Sequence, residues 1–453
     1  MERRNTFIHF SYLFFGLILT TSCSKKEETE VLSSQETIQQ KLVQELDATL
    51  LPVAGSAPSL SGTDLSVFAP LGQAKIVGMG EATHGTREFF QMKHRLFQYL
   101  VEQHGFRIFA FEYDYGACLI LDEMLQTGQG SMSDYMRQYM GFWTWRTEEV
   151  LQLFQWMQDY NRNKPTDQKI HVVGVDCQML LYGIPQLVKM LQQYDPEYAK
   201  SVNERLGSLA KLDLYPGATF STIQTLRATV LPKLNEVGRE LQERANDIAK
   251  ATSPAYNQLI QHLFQTLTQA EIVQYSSVIP PNNAYIFREK YMSDNTSWIF
   301  EQYGNVKIAL WAHNEHVANN DNYANLSTPS QGGQLRNKYG SEYQVVGFSK
   351  ASGQFSVVNL TSQRLETITV SAPLKPSINY LFSLAKAKNY VVKISDLQAK
   401  PNWQQHLASP QPFLNIGSGF DASQVDAYFR AIPLDRYYNF VIHFNQTTAT
   451  KLL

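Results

Sequence analysis

The 453-residue chain is poor in cysteine, with three in all, at positions 23, 118 and 177. Apart from Cys23, that leaves one possible disulfide and no disulfide framework. Cys118 in "YGACLIL" and Cys177 in "VVGVDCQML" stand in apolar surroundings, which predicts buried free thiols. Excess charge is missing as well. The 39 Lys and Arg against 41 Asp and Glu give a formal net charge of −2. A phosphate backbone needs a basic surplus to neutralise it, so nucleic acid is excluded as a partner. No G-x-S-x-G occurs anywhere, which excludes the nucleophile turn of a serine hydrolase. Internal repeats are absent, and the apolar run "YLFFGLILT" is too short to span a bilayer.

What is present begins with that run. It follows the basic "MERRNTF" and precedes "TSC", the pattern of a signal peptide ending at Cys23. A cysteine in that place resembles a bacterial lipoprotein processing site, although Thr20 stands where leucine is usual and Leu19 lies one further back. The polar "SKKEETEVLSSQETIQQ" suits a flexible tether and resembles the surface-export signals of some lipoproteins. The expectation is a signal over 1–23, a tether over 24–42 and a globular domain over 43–453. The only membrane contact is a lipid on Cys23, at a bacterial cell envelope, facing the periplasm or the surface.

Aromatic residues make up 12% of the chain, enough for a large core and for a pocket that takes a bulky, partly apolar ligand. Six apolar runs end in polar residues: 75–81, 107–114, 170–176, 306–314, 343–349 and 438–444. Between the first two, Phe89, Met92, Leu96, Tyr99 and Leu100 recur at helical spacing, with Gly105 as a stop. Apolar strands alternating with amphipathic helices predict an α/β fold: a mostly parallel sheet flanked by helices. Residues from about 180 to 285, rich in Gln, Leu, Lys and Ala, show no strand pattern. They predict a large helical insertion forming a lid over the carboxyl ends of the strands, with Pro280 and Pro281 breaking the chain before the next helix.

The ends of the strands carry the chemistry. The first delivers Glu81 and His84 in "GEATHG", the second Glu112 and Asp114, the third Asp176, and the fourth His313 and His316 in "WAHNEHV". Ligands of open parallel sheets bind beyond these ends. A strand-end aspartate more often caps a helix or bonds a loop amide, and that is the plainer reading of Asp114 and Asp176. Histidine gains and loses a proton near neutral pH, and a neighbouring carboxylate fixes its tautomer. With no side-chain nucleophile in view, water activated by histidine is the simplest chemistry. The two glycines of "GEATHG" predict a sharp backbone turn, and Thr83 or Thr86 a helix cap.

"GEATHGTREFFQMKHRLFQYLVEQHGFRIFAFEYDYG" and the later "LWAHNEHVAN" resemble the erythromycin esterase family. So do "VVGVDCQ", "FREKYMSDNTSWIFEQYG" and "YNFVIHFNQTTA", so the likeness covers nearly the whole mature chain. The resemblance implies metal-independent hydrolysis of a carboxylic ester or macrolactone, with a small-molecule ester or macrolide as substrate and no cofactor. By it, His84 is the base that activates water, Glu81 and Glu112 orient and polarise it, and His313 and His316 transfer protons or hold an oxyanion. Lys93 stands where many members have arginine. It and Arg288 fall at family positions and, with Asp176, are the candidates for substrate binding. Two other readings stay open on the residues alone. The Glu and His set could hold a divalent metal in a hydrolase or peptidase. The chain could also be a non-catalytic envelope lipoprotein that binds a ligand.

Overall fold

The computed structural model describes residues 36–215, 219–322 and 327–453. The expected signal over 1–23, with Cys23, and the expected tether as far as residue 35 lie outside the described residues. In chain order the strands are β1 (Leu51–Pro52), β2 (Ile76–Met79), β3 (Ile108–Asp114), β4 (His171–Asp176), β5 (Ile308–Trp311) and β6 (Tyr343–Asn359). They continue with β7 (Arg364–Val370), β8 (Asn389–Lys393), β9 (Gln411–Leu414), β10 (Gly419–Phe420), β11 (Phe429–Ile432) and β12 (Phe440–Thr447). Ten of them form one sheet in the order β1-β8-β12-β6-β2-β5-β3-β4, with β7 and β10 attached to β6, while β9 and β11 pair separately. From β12 to β4 every neighbouring pair is parallel. The edge beyond β12 is antiparallel, through β8 and β1.

All six expected strands form. Every residue of β2, β3 and β5 is buried, as strands covered on both faces must be, and this is why they read as unbroken apolar runs. One face packs on the helix Arg87–His104 through Phe89, Phe90, Leu96 and Leu100, and that helix stops at Gly105 in the left-handed region. The other face packs on the helical insertion, whose Leu187, Leu234 and Leu263 join Val173, Val175 and Leu310 in one core. The insertion comprises the helices Gly183–Gln192, Pro196–Leu206, Phe220–Glu243, Ala245–Ala251 and Pro254–Val278, with no strand among its described residues.

Register lines the strand ends up. Met79 pairs with Trp311, and Trp311 with Phe111, so the residues that follow emerge side by side at one edge. The register of β3 against β4 shifts between Phe111 and Asp114. Irregularities of this kind re-aim side chains beside sites, and Glu112 lies within this one.

The expected tether is shorter than its sequence suggests. A helix occupies residues 36–47. Leu42 and Leu46 are buried there, and the Leu42 carbonyl accepts from Trp403 Nε1 at 2.8 Å. Its polar outer face resembles a tether in sequence, but the two leucines tie it to the domain. Among the described residues, no helix is long and apolar enough to cross a membrane.

Candidate active site

Glu81 and His84 sit where β2 ends, and they form the first of two acid–histidine pairs. His84 Nδ1 lies 2.7 Å from Glu81 Oε1. The other carboxylate oxygen accepts from Lys93 Nζ at 2.6 Å and from Trp311 Nε1 at 3.0 Å. Glu81 and Lys93 are wholly buried, while the His84 side chain keeps 12% of its surface and lines an open crevice of about 560 Å³. With Nδ1 held by the carboxylate, Nε2 is the nitrogen offered to a ligand. Burial pushes the Lys93 ammonium down to about 8, against the pull of Glu81.

The second pair lies across the crevice. His316 Nδ1 is 2.5 Å from Glu289 Oε1, and the other Glu289 oxygen accepts the Gln331 backbone N–H at 2.7 Å. His316 Nε2 stands 3.3 Å from Glu112 Oε1 and 3.1 Å from Arg288 Nη1. Burial opposes charge on this ring, but Glu289 and Glu112 outweigh it and push His316 up to about 10. Arg288 can donate to Nε2 only when the ring is neutral, so losing the proton exchanges Glu112 for Arg288 at that nitrogen. Arg288 in turn grips Asp176 with Nε at 2.9 Å and Nη2 at 2.8 Å, and reaches Glu112 Oε1 at 2.8 Å. Burial works against ionisation of Glu112 as well, yet His316 and Arg288 hold its carboxyl well below the usual range.

His313 lies between the two pairs, its ring centroid 5.0 Å from that of His84 and 6.3 Å from that of His316. Its Nε2 faces the Ile416 carbonyl at 3.2 Å and its Nδ1 accepts the Glu315 N–H at 3.3 Å, capping the short helix Asn314–Val317. Burial and the neighbouring histidines hold its pKa well below the ordinary value, so it is a neutral ring with both nitrogens engaged. The crevice walls come from Phe142–Trp145, from Asn415–Gly419, and from Tyr428 and Arg430, none of which the sequence singled out. Glu315 and Arg430 meet at the rim at 2.9 Å.

The structure gathers Glu81, His84, Glu112, Arg288, His313 and His316 around this one space, and it corrects several expectations. Lys93 does not line the crevice; it lies beneath Glu81, its Nζ 4.3 Å from the Trp311 ring centroid. Asp176 binds no ligand surface either, because both its oxygens hold Arg288. Asp114 keeps to its plainer expected reading and caps the helix Tyr115–Thr127, accepting from Ala117 N at 2.8 Å. The glycines of "GEATHG" serve close approach rather than a left-handed turn: a Cβ on Gly85 would fall 1.9 Å from the Ser356 carbonyl oxygen. Thr83 and Thr86 bond each other, and Thr86 makes no side-chain cap. The insertion borders the crevice rather than roofing it: of the described residues in 180–285, Tyr285 at its end is the one that lines the crevice. Both Cys118 and Cys177 are buried and free, with burial pushing their thiols up. Glu289 and Trp311 were missed. Glu289 stands next to Arg288 in "FREKYM", on a helix, where no sequence signal separates it from a solvated acid.

A divalent metal does not fit these donors. Glu81 and Glu112 direct their oxygens at Lys93, Trp311, Arg288, His316 and the His313 amide, and among the described residues no group of three or more His, Cys, Asp or Glu is placed to share an ion.

Comparison with known proteins agrees with the sequence resemblance. A family model described as Erythromycin esterase matches residues 101–447, a span that holds Glu112, Asp176, Arg288, His313 and His316. Erythromycin esterase type II of Escherichia coli is 23% identical over 384 residues, covering 74% of this chain and 86% of that protein. A crystal structure from Bacillus cereus aligns with a TM-score of 0.78 at 22% identity, over 92% of this chain and 99% of its own. A mutant of erythromycin esterase EreC in its open conformation aligns with a TM-score of 0.60 at 16% identity, over 86% and 95%. At these identities the two structures speak for the fold alone. The family model spans most of the chain, and the protein belongs to the erythromycin esterase family.

Proposed function

We propose that the chain is a hydrolase that cleaves a carboxylic ester or macrolactone, with His84 as the base that activates water. The observation that carries this is the Glu81–His84 pair at 2.7 Å, braced by Lys93 and Trp311 and open to the crevice at Nε2. Water in the crevice gives a proton to Nε2 as its oxygen attacks the carbonyl carbon. Glu81 stabilises the resulting imidazolium, and the charge that develops on the carbonyl oxygen is met by Arg288 and the cationic His316. The intermediate collapses with cleavage of the carbon–oxygen bond, and His84 returns its proton to the leaving alkoxide. The products are an alcohol and a carboxylic acid, which loses its proton to solvent; in a lactone both groups remain on one molecule. Placed base catalysis of this kind contributes roughly 10²–10⁴-fold. No step needs a metal or cofactor.

The same reading anchors the protein at a bacterial envelope through a lipid on Cys23, which labelled palmitate uptake, lost in Cys23→Ser, would test. The hydrolase is tested by mass spectrometry of erythromycin incubated with the purified domain. The expected result is a gain of one water, lost in His84→Ala and unchanged by chelator. Undiminished hydrolysis by His84→Ala would overturn the assignment of the base, and loss of activity on chelation would overturn the metal-free reading.

A further inference from the structure

A second cavity, of about 360 Å³, adjoins the crevice and shares Phe142, Gln178, Tyr285 and Arg288 with it. Its remaining walls come from the insertion and its flanks, among them Leu212, Val273 and Ala284. We infer that this chamber is a subsite for a neutral or cationic apolar extension of the ester substrate, entered past Tyr285 from the reacting centre. The inference rests on the hydrolase reading above.

Three observations carry it. The chamber is built. Gln274, only 8% exposed, donates to the carbonyls of Gln178 at 2.7 Å and Leu212 at 3.2 Å and accepts from Leu214 N at 2.6 Å. Gln178 in turn donates to Asp176, the partner of Arg288, at 2.5 Å. The insertion is thus bonded through one chain of groups to the crevice, and the Gln274 amide in that wall is engaged on both its nitrogen and its oxygen. Beside Asp213, Ser277 and Asn282, the side chains left to meet a ligand are apolar: Val273 and Ala284 belong to a small buried cluster with Cys177, and Leu212 and Tyr285 remain 54% and 52% exposed at the chamber. Exposed apolar side chains gathered around one opening mark a surface that a ligand covers. The third observation is charge. Asp213 stands in the wall, while the guanidinium of Arg288 is engaged by Asp176 and Glu112. A carboxylate on the extension would meet repulsion; a neutral or cationic one would not.

Burying one methylene favours binding roughly fourfold, so two or three along these walls suffice for a selectivity of tenfold or more. The test compares kcat/KM for phenyl acetate, phenyl hexanoate and 4-hexylphenyl acetate, which extend the ester on either side of the scissile bond. It adds calorimetric binding of 4-hexylphenol. One extended ester is expected to exceed phenyl acetate at least tenfold. Leu212→Asp, at an exposed position that tolerates a charge, and Ala284→Phe, which fills the chamber, should each bring that ratio toward one and weaken 4-hexylphenol about tenfold. Leu226→Asp, at an exposed leucine elsewhere on the insertion, should change neither. A wild-type ratio near one, or a ratio and affinity that survive both variants, overturns the subsite. If no ester is cleaved but 4-hexylphenol binds with the same sensitivity to the variants, the chamber stands and the hydrolase reading falls. If nothing is cleaved and nothing binds, both fall.

Discussion

The crevice holds the same chemical pair twice, and the two copies are set for opposite tasks. In each, a buried glutamate bonds Nδ1 of a histidine: Glu81 to His84 at 2.7 Å and Glu289 to His316 at 2.5 Å. The difference lies behind the carboxylates. Glu81 has a buried lysine on its far oxygen, whereas Glu289 has the backbone N–H of Gln331 there. A second carboxylate, Glu112, stands at the other nitrogen of His316, and none is bonded to the other nitrogen of His84. Four buried carboxylates, Glu81, Glu112, Asp176 and Glu289, thus face two basic side chains, Lys93 and Arg288. The uncompensated charge settles around His316, which holds a proton up to about 10. The comparison teaches that a carboxylate beside a histidine does not define its role. In the proposed mechanism the next partner outward leaves one imidazole to act as a base and makes the other a cation.

Breaking the pairs one at a time separates these roles. The largest effect is expected from His84→Ala, which should lower kcat by about 10³-fold on any substrate cleaved, as loss of a placed base does. Steady-state kinetics would check it, and a loss below tenfold would contradict the assignment. Lys93→Met comes next. It leaves the Glu81 charge buried without its cation, which costs about 3–5 kcal/mol, readable as a lower denaturation midpoint. The wild-type lysine also has its own signature. Its folded pKa of about 8 lies below its ordinary 10.5, so the unfolded chain binds more protons between those values. Its contribution therefore makes stability rise with pH across that window, and Lys93→Met should flatten the rise.

Glu289→Gln sharpens the comparison, because it makes the second pair resemble neither original. His316 then loses a partner that raises it, and the alkaline limb of kcat should move to lower pH, with activity about tenfold down at pH 9. The sign for stability is the reverse of that for Lys93. A histidine raised above its ordinary 6.5 stabilises fully below that value, and the contribution fades as pH rises toward about 10. In Glu289→Gln that fading should finish at lower pH. The smallest effect is expected at the rim. Arg430 is 55% exposed on its ion pair with Glu315, so Arg430→Ala should change kcat/KM no more than about threefold, in line with the small worth of exposed pairs.

Much of this was legible before the structure, for identifiable reasons. A strand buried on both faces must be apolar throughout, so β2, β3, β4 and β5 announce themselves, and the first polar residues after them mark the reacting edge. Glu81, His84, Glu112 and His313 follow from that logic. β7 does not, because its "RLETITV" alternates on a half-exposed strand at one side of β6. β8, only five residues long, gives too short a pattern. Lys93 shows as a charge on an otherwise apolar helix face, but only coordinates reveal that it points beneath Glu81. Glu289 and the walls at Phe142–Trp145 and Asn415–Gly419 depend on chain segments far apart in sequence, and no local pattern joins them.

The central claim is that His316 is a standing cation while His84 is the base. Nitrogen NMR of the chain labelled at histidine, read at pH 8 with His316→Gln to assign the signal, tests it most directly. The account predicts that both ring nitrogens of His316 carry protons at that pH and lose one only as pH approaches 10. A His316 ring already neutral at pH 7 would contradict it.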